Sequence, residues 1–222
     1  MSSPPRIRDG AAVTAWGNAL LAGRVSPDAM ADALAPARHH VDGARRGSLP
    51  YVLLELRAAG ARQLRLVLPV PGDVSALPGP VEFTRAALEA RMAVVVPQAR
   101  LGLLPAPADG PADLQALLDG LVVWTAHEVS GPALEPAVLD AAPTVRAAER
   151  DLVAAMTQAA DVLVTLDVGH ATDEQVAGLA RVRRPALPSL PPGHPAQAVR
   201  LAHRAFGLLE MTTVAALDEG AA

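Results

Sequence analysis

Apolar positions in the first third of the chain change period as the chain proceeds. Between about Asp9 and Ala35, Val13, Trp16, Leu20 and Leu21 recur at helical spacing. Gly23 is placed to end that helix. Ser26-Pro27-Asp28 then opens a second one, with Ser26 as cap, Pro27 at the first helical position and Asp28 at the positive helix end. Met30, Ala33 and Leu34 form its inward stripe. Arg38 to Gly47 is polar, contains His39, His40 and Asp42, and predicts a loop. Ser48 caps a third helix on which Tyr51, Leu54 and Ala58 share a stripe widened by Val52, Leu53 and Leu56, and Gly60 ends it. Leu64, Leu66, Leu68 and Val70 then alternate, which is strand periodicity. A hairpin of residues 51–57 and 62–70 is the alternative. Helix then strand is preferred, because Ala58-Ala59-Gly60-Ala61 suits a helix exit better than a hairpin turn.

Pro69 to Pro80 is a long connection rich in Pro and Gly. Glu82 to Arg91 predicts a helix with Phe83, Ala87 and Leu88 facing inward. Met92–Val96, Leu101–Leu104 and Leu121–Val129 read as strands, the first a valine-rich buried one. On the last, Val122, Trp124, Ala126 and Glu128 share one face, and Val123, Thr125, His127 and Val129 the other. After Pro132 the pattern becomes helical over long spans. Val145, Leu152, Met156, Ala159, Leu163 and Leu166 form one stripe, and Val199, Ala202, Phe206, Leu209, Thr213 and Ala216 a second. A short helix is expected around Asp173–Arg181, before a Pro-rich stretch from Pro185 to Pro195.

This order predicts an α+β fold: a small mixed sheet of about four strands, N-terminal short helices and a C-terminal pair of long helices. Residues 1–131 would hold the sheet. Residues 132–222 would form a mainly helical region packing on it, possible within one domain at this length of 222 residues.

Composition narrows the chemistry. Hydrophobic residues make up 51% and aromatics 2%, so a core must be built from Leu, Val and Ala. All 19 basic residues are arginine. Without lysine there is no Schiff base and no lysine-bearing phosphate loop. With no cysteine there is no disulfide, thiolate nucleophile or zinc–thiolate site in this chain. A net charge of −4 opposes non-specific nucleic-acid binding, so no nucleic-acid partner is expected. The N-terminal residues lack the apolar run of a signal peptide, and no stretch of about 18 apolar residues occurs. Together these predict a cytoplasmic protein with no membrane partner.

The segments Leu54-Glu55-Leu56-Arg57-Ala58-Ala59-Gly60-Ala61 and Leu64-Arg65-Leu66-Val67-Leu68-Pro69-Val70-Pro71-Gly72-Asp73 lie in a longer stretch, Leu53 to Val96. Leu77-Pro78-Gly79-Pro80 and Phe83-Thr84-Arg85-Ala86-Ala87-Leu88 follow in the same stretch. With the Trp124 strand and Leu166-Asp167-Val168, these motifs resemble an uncharacterised family of small α+β proteins from GC-rich actinobacteria. The resemblance spans most of the chain. It implies a source and supplies no activity, cofactor or catalytic residue.

Several constellations bear on chemistry. Pro69-Val70-Pro71-Gly72-Asp73 follows a strand and precedes a helix, where open α/β sheets place ligands. Asp73 could bind a hydroxyl, amine or metal there, and Arg85 on the next helix could pair with a carboxylate or phosphate. The plainer reading is a rigid turn with Asp73 on its own amides. Trp124, on the same strand face as Glu128, could line an apolar pocket with a polar tip, while His127 and Glu128 fall on opposite faces and form no ready dyad; a strand Trp is more often core. His39, His40 and Asp42, with Asp167 and His170, have no metal-site spacing, so no metal and no cofactor is expected. Arg181, Arg183 and Arg184 read as a solvated helix end. Neither a G-x-S-x-G elbow nor a G-x-G-x-x-G fingerprint occurs.

The function expected is therefore a non-catalytic interaction or regulatory protein, with a homodimer or protein partner held through the C-terminal helices. The alternative is a small-molecule-binding protein or enzyme with its site near the 69–85 loop and the 121–129 strand, formed by Asp73, Arg85, Trp124 and His127.

Overall fold

The computed structural model describes residues 7–106, 120–135, 144–165 and 190–218. The chain divides into two compact units: Met1–Ala141 with Pro188–Pro192, and Ala142–Leu187 with Gly193–Ala222.

The first unit holds a mixed sheet. Its strands are β1 (Arg38–Gly43), β2 (Gly47–Ser48), β3 (Arg65–Val67), β4 (Ala93–Val96), β5 (Leu101–Pro105) and β6 (Leu121–Glu128). They lie in the order β2-β1-β6-β5-β4-β3. β1 runs parallel to β6, and every other neighbouring pair is antiparallel. The sheet thus has six strands where the sequence predicts about four. Of the two additional strands, β1 lies within the segment expected to be a polar loop, and β2 joins the last residue of that segment, Gly47, to Ser48, the expected helix cap. β1 escapes sequence reading because it holds one aliphatic residue, Val41, and its inward polar residue, His39, is partnered rather than solvated.

Three helices cover one face: α1 (Ile7–Leu21), α2 (Pro27–Ala33) and α3 (Leu49–Ala58). α1 presents Val13, Trp16 and Leu20 to a core that also takes Val41, Val94, Leu103, Val122 and Trp124 from the sheet. Ser26 caps α2 as its sequence predicts, accepting from the Ala29 N–H at 3.1 Å. On α3 the inward residues are Leu49, Val52, Leu53 and Leu56, the i, i+3, i+4, i+7 set of a single face. Tyr51, expected on the inward stripe, is 57% exposed. Ser48 precedes α3 but makes no side-chain cap bond. Asn18, the one asparagine in the chain, clamps α1 to the segment entering β3: its Nδ2 donates to the Leu64 carbonyl at 2.9 Å and its Oδ1 accepts from the Leu64 N–H at 2.7 Å.

The opposite face is covered by α4 (Val81–Ala90). Phe83 and Ala87 pack with Val67, Ala93, Val95, Leu104 and Val129, and Leu77 from the preceding loop joins them. Gly102 on β5 makes this possible, since a Cβ there would overlap the Phe83 ring.

In the second unit the described residues form α5 (Val145–Thr165) and α6 (Ala196–Asp218). Thr144 caps α5, its Oγ1 accepting from the Ala147 N–H at 3.2 Å. Gln197 Nε2, at the start of α6, donates to Glu149 Oε2 near the start of α5 at 2.8 Å. The N-terminal ends of the two helices therefore meet. The expected helix around Asp173–Arg181, the arginines 181, 183 and 184, and Asp167 with His170 lie outside the described residues.

Candidate functional site

The connection from β3 to α4 starts from an edge strand of the sheet. Its backbone turns back at Val70 and Asp73, where the Asp73 N–H donates to the Val70 carbonyl at 3.0 Å. Asp73 Oδ1 accepts from the Ser75 N–H at 3.3 Å and from Ser75 Oγ at 2.8 Å, so this carboxylate is engaged in closing its own turn. A cleft of about 160 Å3 lies between this loop and β3, lined by Arg65, Val67, Leu68, Asp73, Val74 and Leu77 among others. At its far end the loop is tied to the end of β6. Gly79 N donates to Ser130 O at 2.7 Å, and Ser130 N donates to Gly79 O at 3.0 Å.

β6 splits the remaining candidates between its faces, as period-two geometry requires. Trp124 points into the three-helix core and is fully buried. Its Nε1–H donates to His39 Nδ1 at 3.0 Å, with the two rings stacked at a centroid distance of 6.1 Å. Because Nδ1 accepts, the His39 ring carries a proton on Nε2 when neutral. His127 faces the other way and is half-buried beside Phe83, edge to face at 5.6 Å between centroids. Burial lowers its pKa below the ordinary 6.5. Arg85 is exposed on α4 and does not line the cleft that contains Asp73. Neither Trp124 nor His127 lines it.

The arrangement therefore separates the four candidates. Sequence reading places His39 in a loop, whereas the structure sets it on β1 as the buried partner of Trp124. A signal existed in the alternation of His39 and Val41 against His40 and Asp42, which β1 resolves into an inward and an outward pair. On the outward side Asp42 is held below the usual carboxylate range by the Arg46 side chain, whose Nε donates to Oδ1 at 2.7 Å, with the Gly43 N–H adding to the effect. Among the described residues no three His, Asp or Glu side chains gather as a metal site, and no helix is long and apolar enough to cross a membrane.

Residues 10–138 match the family described as Rv1486c-like protein, N-terminal domain, and residues 146–222 match its C-terminal domain. The chain belongs to the Rv1486c-like protein family. It is similar to the uncharacterized protein Rv1486c of Mycobacterium tuberculosis strain H37Rv, 34% identical over 198 residues, covering 74% of this chain and 67% of that protein. The uncharacterized protein MT1533 of strain CDC 1551 is matched with the same identity and coverage. The actinobacterial resemblance of the sequence motifs is thereby shown, and the names of these relatives assign no catalysis and no particular role. No solved structure matches the chain.

Proposed function

We propose that this Rv1486c-like chain is a cytoplasmic, non-catalytic interaction or regulatory protein whose long C-terminal helices are its docking surface. One observation carries the reading. Val153, Met156, Val162 and Met211 on α5 and α6 are 46%, 41%, 50% and 38% exposed. Among the described side chains of these helices none is buried. The sheet unit is built differently: Trp124, Phe83, Leu20, Leu53 and Met92 are fully covered there. Long amphipathic helices draw most of their stability from packing apolar side chains, so apolar side chains left open, with Val153 and Met156 neighbours on one side of α5, invite a partner.

In this reading residues 1–131 are the folded platform and residues 132–222 carry the contact. The alternative, a ligand or substrate site near the 69–85 loop and the 121–129 strand, has no comparable support. Asp73 closes its own turn, and the cleft beside it includes none of Arg85, Trp124 and His127.

Photo-cross-linking of the full chain in its native host tests the proposal. A photoreactive phenylalanine is placed at position 156 or 211 and, as controls, at the exposed apolar positions 51 and 70 of the sheet unit. Protein adducts from 156 and 211 that are absent from 51 and 70 are expected. Adducts at none of the four positions, or equally at all, would overturn the reading.

A further inference from the structure

The inference here rests on α5 being a docking surface, and it names the occupant. We infer that α5 docks against α5 of a second copy of this chain, with the two helices antiparallel about a two-fold axis. Arg146, Arg150, Val153, Thr157, Ala160 and Asp161 fall on one side of α5 at helical spacing, and all are exposed. Met156 flanks this stripe, and a groove of about 410 Å3 runs along its first half, by Arg146, Glu149, Arg150, Val153 and Ala154. The stripe is uncharged in the middle, where Val153 and Ala160 flank a Thr157 whose hydroxyl is spent on the Val153 carbonyl, cationic at its N-terminal end and anionic at its C-terminal end.

The other acids of the helix do not cancel this polarity. Glu149 lines the same groove and offsets one of its two arginines, and Asp151 projects from the opposite side of the helix, so the N-terminal end of the stripe keeps a net positive charge. A helix with opposite charges at the two ends of one stripe is complementary to itself when reversed. With Val153 set against Met156 of the second copy, Asp161 comes opposite the turn between Arg146 and Arg150 of that copy. Two-fold symmetry forms this contact twice. A parallel copy would set arginine against arginine and aspartate against aspartate, which disfavours that register. The charge order along the stripe thus selects the second copy and its direction together.

Sedimentation velocity of the full chain, from about 1 to about 100 μM, reads the outcome. A monomer–dimer equilibrium is expected, and V153E/M156E should be monomeric throughout with unchanged far-ultraviolet circular dichroism. D161R alone and R146E/R150E alone should each weaken self-association by about tenfold, because each homodimer then faces like charges twice. An equimolar mixture of those two variants should regain dimerisation at or above the wild-type level, since opposite charges meet again at both ends. A wild-type monomer at every concentration overturns the inference. So does a dimer indifferent to both charge variants, or a mixture that fails to recover. A wild-type monomer whose position 156 still cross-links to a different protein removes the second copy while leaving α5 a docking surface, so the two failures are distinguishable.

Discussion

Trp124 buries an indole N–H eighty-five positions along the chain from the histidine that accepts it. The separation matters because the hydrogen bond ties β1 to β6, neighbours in the sheet that the sequence holds far apart. Replacing His39 with leucine should leave that donor buried without its acceptor, at a cost of about 1–3 kcal/mol in unfolding free energy. Urea denaturation measures it, and an unchanged midpoint would show that the bond adds nothing. Nitrogen chemical shifts of the ring should place the proton of neutral His39 on Nε2. His127, on the other face, makes a pH-dependent contribution instead. Its folded-state pKa is lowered by burial, so the unfolded chain binds the proton more readily. The stability linked to His127 is present above its ordinary pKa of 6.5 and is lost as pH falls from there through the folded value. His127→Asn should therefore lose less stability than the wild type between about pH 7.5 and about pH 5.5, whatever uniform cost the lost Phe83 contact adds at both.

Individual elements depend on a few positions where size or polarity leaves no substitute. Phe83 of α4 rests on β5 because residue 102 has no side chain. Gly102→Val should displace that ring and destabilise the sheet unit by about 1–3 kcal/mol, read from the same urea transition. Asn18→Ala should remove both hydrogen bonds that anchor α1 to Leu64, at about 1–3 kcal/mol. The elements that the sequence discloses well are those with strong periodicity or dense aliphatic content. α1, α2 and the strands β4, β5 and β6 fall where Val13, Met30, the 94–96 valine run, the 101–104 apolar run and the alternation around Trp124 put them. β1 was not legible, because a strand reading Arg38-His39-His40-Val41-Asp42-Gly43 looks solvated until Trp124 is known to lie above His39. The inward face of α3 was legible only in part. Tyr51 has the bulk of a core residue, yet the consecutive apolar positions 49–54 let the helix turn Leu49, Val52, Leu53 and Leu56 inward instead. The division of Trp124 and His127 between opposite faces follows from strand geometry alone, whereas the turn that occupies Asp73 depends on Ser75 two residues on.

At the scale of the whole molecule, the two units differ in how completely they satisfy themselves. The sheet unit encloses two apolar clusters, one under α1, α2 and α3 and one under α4. α5 and α6 have amphipathic sequences of 21 and 23 residues, yet their described side chains enclose no core of their own. Under the proposed function, helices in that condition gain lasting protection when a partner covers them. Amide hydrogen exchange on the dilute, purified full-length chain tests this most directly, because it reads each helix by itself. Slow exchange is predicted for β4, β5 and β6, and exchange faster by orders of magnitude for the amides around Val153–Val162 of α5. Protection in α5 equal to that of the central strands in the dilute chain would contradict the account.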